Sequence, residues 1–105
     1  RTSQEEPERD TWEREGLLVD FEAHKVRGDD EELQLTATEF KLLAELIHRQ
    51  GRVLTRDQLL NTVWGYEFEG YARTVDTHVR RLRQKLGRHA DLVETVRGVG
   101  YRFKE

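Results

Sequence analysis

The 105-residue chain has no cysteine and a single proline. Without thiols there can be no disulfide framework and no thiolate metal site, and a thiol-free chain suits a reducing compartment. No apolar run approaches the ~18 residues of a membrane span, and no signal-peptide pattern opens the chain. The expectation is a soluble, cytoplasmic protein with no membrane partner. Hydrophobic residues make up 35% and charged residues 37%, so a single modest core must sit beneath a heavily charged surface.

The charge that is present is unevenly placed. Residues 1–34 hold twelve acids against five bases, and residues 35–105 hold nine acids against thirteen bases, which together give the net −3. The acidic overall balance therefore hides a basic second part, the part able to attract a polyanion.

Residues 1–14 are polar, acidic and contain Pro7, and read as a linker or tail, with Trp12 as the one side chain suited to docking on the rest. A folded domain over residues 15–105 is expected. Residues 17–35 read as short strands, with Leu17, Val19, Phe21 and Ala23 alternating with Leu18, Asp20, Glu22 and His24. The stretch GDDEE at 28–32 supplies a turn, and an antiparallel sheet of three or four strands follows from the pattern.

Three helices come next. Thr36 with Glu39, and Thr55 with Gln58, each have the three-residue spacing of a capping box. Phe40, Leu43, Leu46 and Ile47 give the first helix its apolar face, and Leu59, Leu60, Val63 and Trp64 give the second theirs. Gly51, Gly65 and Gly87 stand where the three helices should stop. The loop GYEFEGYA at 65–72 is longer than the turn of a plain helix-turn-helix. Its aromatics Tyr66, Phe68 and Tyr71 read as caps on the core sooner than as a partner surface. Residues 92–103 read as a hairpin with Gly98 and Gly100 flanking its turn.

The third helix, RTVDTHVRRLRQKL at 73–86, carries Arg73, Arg80, Arg81, Arg83 and Lys85 against one acid, Asp76. At the helical period Val75, Val79, Leu82 and Leu86 form one stripe. Arg73, Thr77, Arg80, Arg81 and Gln84 fall opposite it, with Arg83 and Asp76 on one flank and His78 and Lys85 on the other. Arginine can bond a guanine edge with two donors and threonine can meet a thymine methyl. A solvated basic face is the plain alternative. Three features favour nucleic-acid binding: few acids to pair with these bases, a capped helix preceding, and a hairpin carrying Arg97, where a basic group could reach a minor groove.

These residues carry a resemblance. LTATEFKLLAELIHRQGRVLTRDQLLNTVWG, then RTVDTHVRRLRQKLG, then VETVRGVGYRF resemble the C-terminal DNA-binding domain of OmpR/PhoB-type response regulators over about residues 17–104. The resemblance implies an α+β winged helix-turn-helix: an N-terminal antiparallel sheet, three helices and a C-terminal β-hairpin wing. It implies sequence-specific double-stranded DNA binding that controls transcription, with the third helix in the major groove and the wing in the minor groove. It places Thr77, Arg81 and Arg83 at bases or nearby phosphates and Arg97 in the minor groove. It places Arg56, Trp64, Arg73, Thr74, His78, Arg80, Thr95 and Tyr101 on backbone phosphates. Some members have valine where this chain has Thr77, whose hydroxyl adds a polar contact to the methyl.

The resemblance also implies that the loop Tyr66, Glu67, Phe68, Glu69, Gly70 and Tyr71 touches RNA polymerase. It implies tandem binding to direct repeats and an upstream receiver domain phosphorylated by a histidine kinase. Against that pattern the chain reads as an effector half cut within the linker and monomeric by itself. A protein-interaction module, favoured by the loop aromatics, is the competing class. An enzyme is disfavoured: Asp76 and His78 diverge on a helix, and His24, His48, His78 and His89 lack metal-ligand spacing. No cofactor is expected. RNA is disfavoured because A-form grooves do not admit a helix.

Overall fold

A computed structural model describes residues 10–65 and 71–105. Four short strands, β1 (Thr11–Arg14), β2 (Leu17–Asp20), β3 (Lys25–Gly28) and β4 (Glu31–Leu33), form an antiparallel sheet in sequence order. The β1–β2 and β3–β4 links are two-residue turns, Glu15–Gly16 and Asp29–Asp30. All four of these residues have positive φ, the backbone that keeps tight hairpins in step with strand twist. Leu17, Val19 and Val26 put one face of this sheet into the core.

The sheet begins earlier than its composition suggests. Thr11–Arg14, inside the segment expected as tail, pairs with β2 from Thr11↔Asp20 to Arg14↔Leu17. What holds so polar a strand is contact with the far end of the chain. Trp12 lies edge-on to Phe103 at 5.2 Å, and the Arg14 guanidinium donates to the carbonyls of Lys104 at 2.8 Å and Glu105 at 3.0 Å.

Helix α1 (Ala37–His48) starts at the Thr36–Glu39 capping box, with both reciprocal bonds made. It buries Phe40, Leu42, Leu43, Leu46 and Ile47. Helix α2 (Arg56–Leu59) opens on the Thr55–Gln58 box and widens into a π-helical stretch, Leu60–Trp64, before Gly65. Helix α3 spans Arg73–Leu86, and a 3₁₀ segment, Gly87–Leu92, leads to the wing. Among the described residues no helix is long and apolar enough to cross a membrane.

The wing hairpin, β6 (Val93–Val96) and β7 (Gly100–Phe103), gains a third strand. Strand β5 (Val53–Thr55), between α1 and α2, pairs with β7 to give the order β5-β7-β6. Gly100 is what permits this: a Cβ there would collide with the Leu54 carbonyl oxygen and stand 2.8 Å from the Thr55 Cα. The hairpin therefore grows from the body of the domain, not from one flexible stalk. At its tip the Val99 amide donates to the Val96 carbonyl at 2.9 Å across Arg97 and Gly98. Gly98 takes φ +78°, as the third position of a type II turn requires.

Candidate nucleic-acid interface

Helix α3 is built with two unlike sides. Val75, Val79, Leu82 and Leu86 are at most 2% exposed, so the apolar stripe is sealed against the core. Burying four such side chains contributes roughly 1.5–3 kcal/mol each, which fixes the rotation of the helix about its axis. The opposite side is thereby forced outward. Arg73, Arg80 and Arg81 are exposed, as is Arg97 at the wing tip. Among the described residues none of these four side chains has a hydrogen-bond or ion-pair partner. Thr77 lies half-buried on the same side, its hydroxyl 3.5 Å from the Arg73 carbonyl oxygen.

Among the described residues no side chain caps α3. Ala72 stands at the N-cap, and the Thr74 and Val75 amides donate back to the Tyr71 and Ala72 carbonyls at 2.8 and 2.9 Å. The positive end of the helix lies beside Arg73 and Thr74, and such an end favours an anion.

The remaining expected contacts divide by how they are held. His78 is half-buried; its Nδ1 is 2.9 Å from the Thr74 carbonyl oxygen, which assigns the proton to Nδ1 and leaves Nε2 as an acceptor when neutral. Trp64, brought round by the π-helical stretch, meets the His78 ring edge-on at 5.0 Å. Arg56 gives Nη2 to Asp76 Oδ2 at 2.8 Å, and Tyr101 gives its hydroxyl proton to Asp76 Oδ1 at 2.6 Å. Burial foremost, then the Asp76 bond and charge, push the Tyr101 phenol up to about 12. Its one proton is committed to Asp76, so it has only lone pairs to present elsewhere.

Arg83 is held to the wing. Its guanidinium turns to the wing, donating through Nε and Nη2 to the Val93 carbonyl at 3.0 and 2.7 Å and through Nη2 to Thr95 Oγ1 at 2.7 Å. It also stands 5.6 Å from the Tyr101 ring centroid. Arg83 thus ties α3 to the hairpin, with the Thr95 hydroxyl oxygen as one of its acceptors. Tyr71 departs from the expectation of a cap on the core: it is 83% exposed. Tyr66, Glu67, Phe68, Glu69 and Gly70 lie outside the described residues.

One acid organises the site. Asp76 joins α2, α3 and β7 through its two oxygens. Its signal in the sequence was present: it is the lone acid among five bases in 73–86.

Residues 30–103 match the family described as "Transcriptional regulatory protein, C terminal". The chain belongs to this family. Its OmpR/PhoB-type domain is one of transcriptional regulators, not of enzymes. The transcriptional regulatory protein SrrA of Staphylococcus aureus is 48% identical over 106 residues, covering 96% of this chain and 44% of that protein. The chain thus spans less than half the length of the curated relatives it matches. The Klebsiella pneumoniae RstA DNA-binding domain, solved in complex with the RstA box, has a TM-score of 0.80 at 32% identity, over 90% of this chain and 97% of that one. DrrB of Thermotoga maritima, an OmpR/PhoB homologue, has a TM-score of 0.83 at 28% identity, over 98% of this chain and 47% of that one. The architecture of this OmpR/PhoB-type domain is a winged helix.

Proposed function

We propose that this domain binds double-stranded DNA sequence-specifically and controls transcription as the effector part of a two-component response regulator. The observation that carries the proposal is the state of α3: its apolar edge is sealed while Arg73, Arg80 and Arg81 stand exposed and, among the described residues, unpartnered. A helix of this width suits the major groove of B-form DNA. The DNA complex of the RstA domain supports the same use of the fold here.

In this reading Thr77 and Arg81 meet base edges and Arg97 enters the adjacent minor groove, whose width it senses. Arg83, tied to Val93 and Thr95 through Nε and Nη2, sets the wing against α3 and meets a base or nearby phosphate from there. Arg56, Trp64, Arg73, Thr74, His78, Arg80 and Thr95 face phosphates, which position the domain without carrying sequence information. Tyr101 lies on the same path and contributes its ring and position.

The wider assignments rest on the family. They are binding in tandem to direct repeats, a monomeric state for this domain alone, an upstream receiver domain served by a histidine kinase, and a cytoplasmic setting. RNA polymerase is the proposed partner of the 66–71 loop, and the exposed Tyr71 ring favours such a protein contact. Selection of bound duplexes from a random pool tests the central proposal. A recurring motif with a second copy about one helical turn away, in the same orientation, is expected; enrichment without any shared motif would contradict it.

A further inference from the structure

The proposed interface contains one carboxylate in a place where a polyanion should arrive. Asp76 lies in the first turn of α3 with its side chain 34% exposed. It lines a cleft with Arg56, Thr95, Arg97, Gly98 and Tyr101, between the reading helix and the wing. A charge of that sign should weaken attraction to DNA, so its presence calls for a compensating role. The geometry supplies one. Oδ1 takes the Tyr101 hydroxyl at 2.6 Å and Oδ2 takes Arg56 Nη2 at 2.8 Å, and these partners come from β7 and from the start of α2. Arginine has five donors in a fixed fork. With one held by Asp76, the others keep a fixed direction for a phosphate. An unheld arginine would first have to surrender its rotamer freedom. Tyr101, gripped by the same carboxylate, fixes β7 to α3 and so the distance from the reading helix to Arg97.

We propose that Asp76 is a positioning residue of the DNA interface: it orients Arg56 and locks the wing to α3, raising sequence discrimination while lowering non-specific attraction. The inference rests on the DNA-binding reading above. It makes an unusual demand, since deleting a negative charge at a DNA-binding surface should ordinarily tighten binding.

The test compares Asp76→Asn, Tyr101→Phe and the double variant with the unaltered chain. Anisotropy titrations use one duplex taken from the selection and one scrambled duplex of equal length. For Asp76→Asn, affinity for the selected duplex should fall about tenfold, as expected for loss of bonds to a charged group. Affinity for the scrambled duplex should hold or rise, so the ratio between the two collapses. Tyr101→Phe keeps the charge and cuts one bond; it should lose a smaller part of the ratio, and the double variant should be no worse than Asp76→Asn. Tyrosine titration of the free protein adds a readout independent of DNA: the Tyr101 phenol, held up by burial and then by Asp76, should titrate lower in Asp76→Asn than in the unaltered chain.

Equal tightening on both duplexes with the ratio intact would overturn the proposal, because it is what simple charge deletion does. So would an unmoved tyrosine transition. Should Asp76→Asn fail to fold, Tyr101→Phe alone decides: an unchanged ratio there sinks the inference. An unaltered chain that cannot tell the two duplexes apart would instead overturn the DNA-binding reading, and this inference with it.

Discussion

Arg83 and Val93 are joined by a fork: guanidinium Nε and Nη2 both donate to one carbonyl oxygen, at 3.0 and 2.7 Å. Residues ten apart in sequence thereby fix the angle between α3 and the hairpin that follows it. Arg83→Ala should destabilise the fold by about 1–2 kcal/mol, the range for a partly exposed bond from a charged donor. Arg83→Lys should recover little of this, since an ammonium cannot reproduce the fork. Urea unfolding midpoints of the three chains measure it. Equal midpoints for the unaltered chain and the Arg83→Lys variant would argue that the contact is a simple charge effect.

The proposed reading gives the neighbours Arg80 and Arg81 separate tasks. Arg81→Ala should cost about 1–3 kcal/mol on the selected duplex and relax preference at one base pair. Arg80→Ala should weaken selected and scrambled duplexes alike and lower the slope of log affinity against log salt by about 1. Anisotropy titrations at several salt concentrations separate the two, and indistinguishable profiles would refute the division between base and phosphate contact.

Glu39 makes the stability of the domain depend on acid. It is 2% exposed and its Oε1 serves the Thr36 amide at 2.9 Å and Lys85 Nζ at 2.7 Å. Burial pushes its carboxyl up, but the bonds from Lys85 and from Thr36 outweigh that and leave it below the ordinary glutamate value. A lowered folded-state value means stability that is fully present above the unfolded-chain value and is lost as pH falls through the folded one. Lys85→Ala should destabilise by about 2 kcal/mol near neutral pH, less than a fully buried pair because Lys85 is partly in solvent. It should also flatten the loss of stability below the ordinary glutamate range. Urea midpoints from neutral pH downwards check both; parallel curves for the two chains would remove Lys85 from the account.

What the sequence made legible was local. Capping boxes at Thr36 and Thr55, the span of α3 and its buried edge all follow from spacings within one element, and the structure has them there. What it hid joins distant residues. Strand β5 has three residues, too few for an alternation to register, and it is a strand only because Gly100 lets β7 come close. Strand β1 is polar and gains its place from Trp12 on Phe103 and Arg14 on the chain's last carbonyls. A helical wheel placed Arg83 on a flank, but a wheel contains no wing, so Val93 was invisible to it. Glu39 was legible as a cap and Lys85 as a flank charge, yet their pairing spans 46 residues. Asp76 was visible as an exception and required coordinates to become a bridge.

The claim on which the account turns is that the arginine side of α3 and the wing tip are the surfaces that meet DNA. Backbone amide shifts recorded while the selected duplex is titrated into labelled protein test it most directly. The largest changes are expected across Arg73–Arg83 and Thr95–Val99, with the first sheet, Thr11–Leu33, little moved. Changes concentrated on that sheet, with α3 and the wing silent, would contradict it.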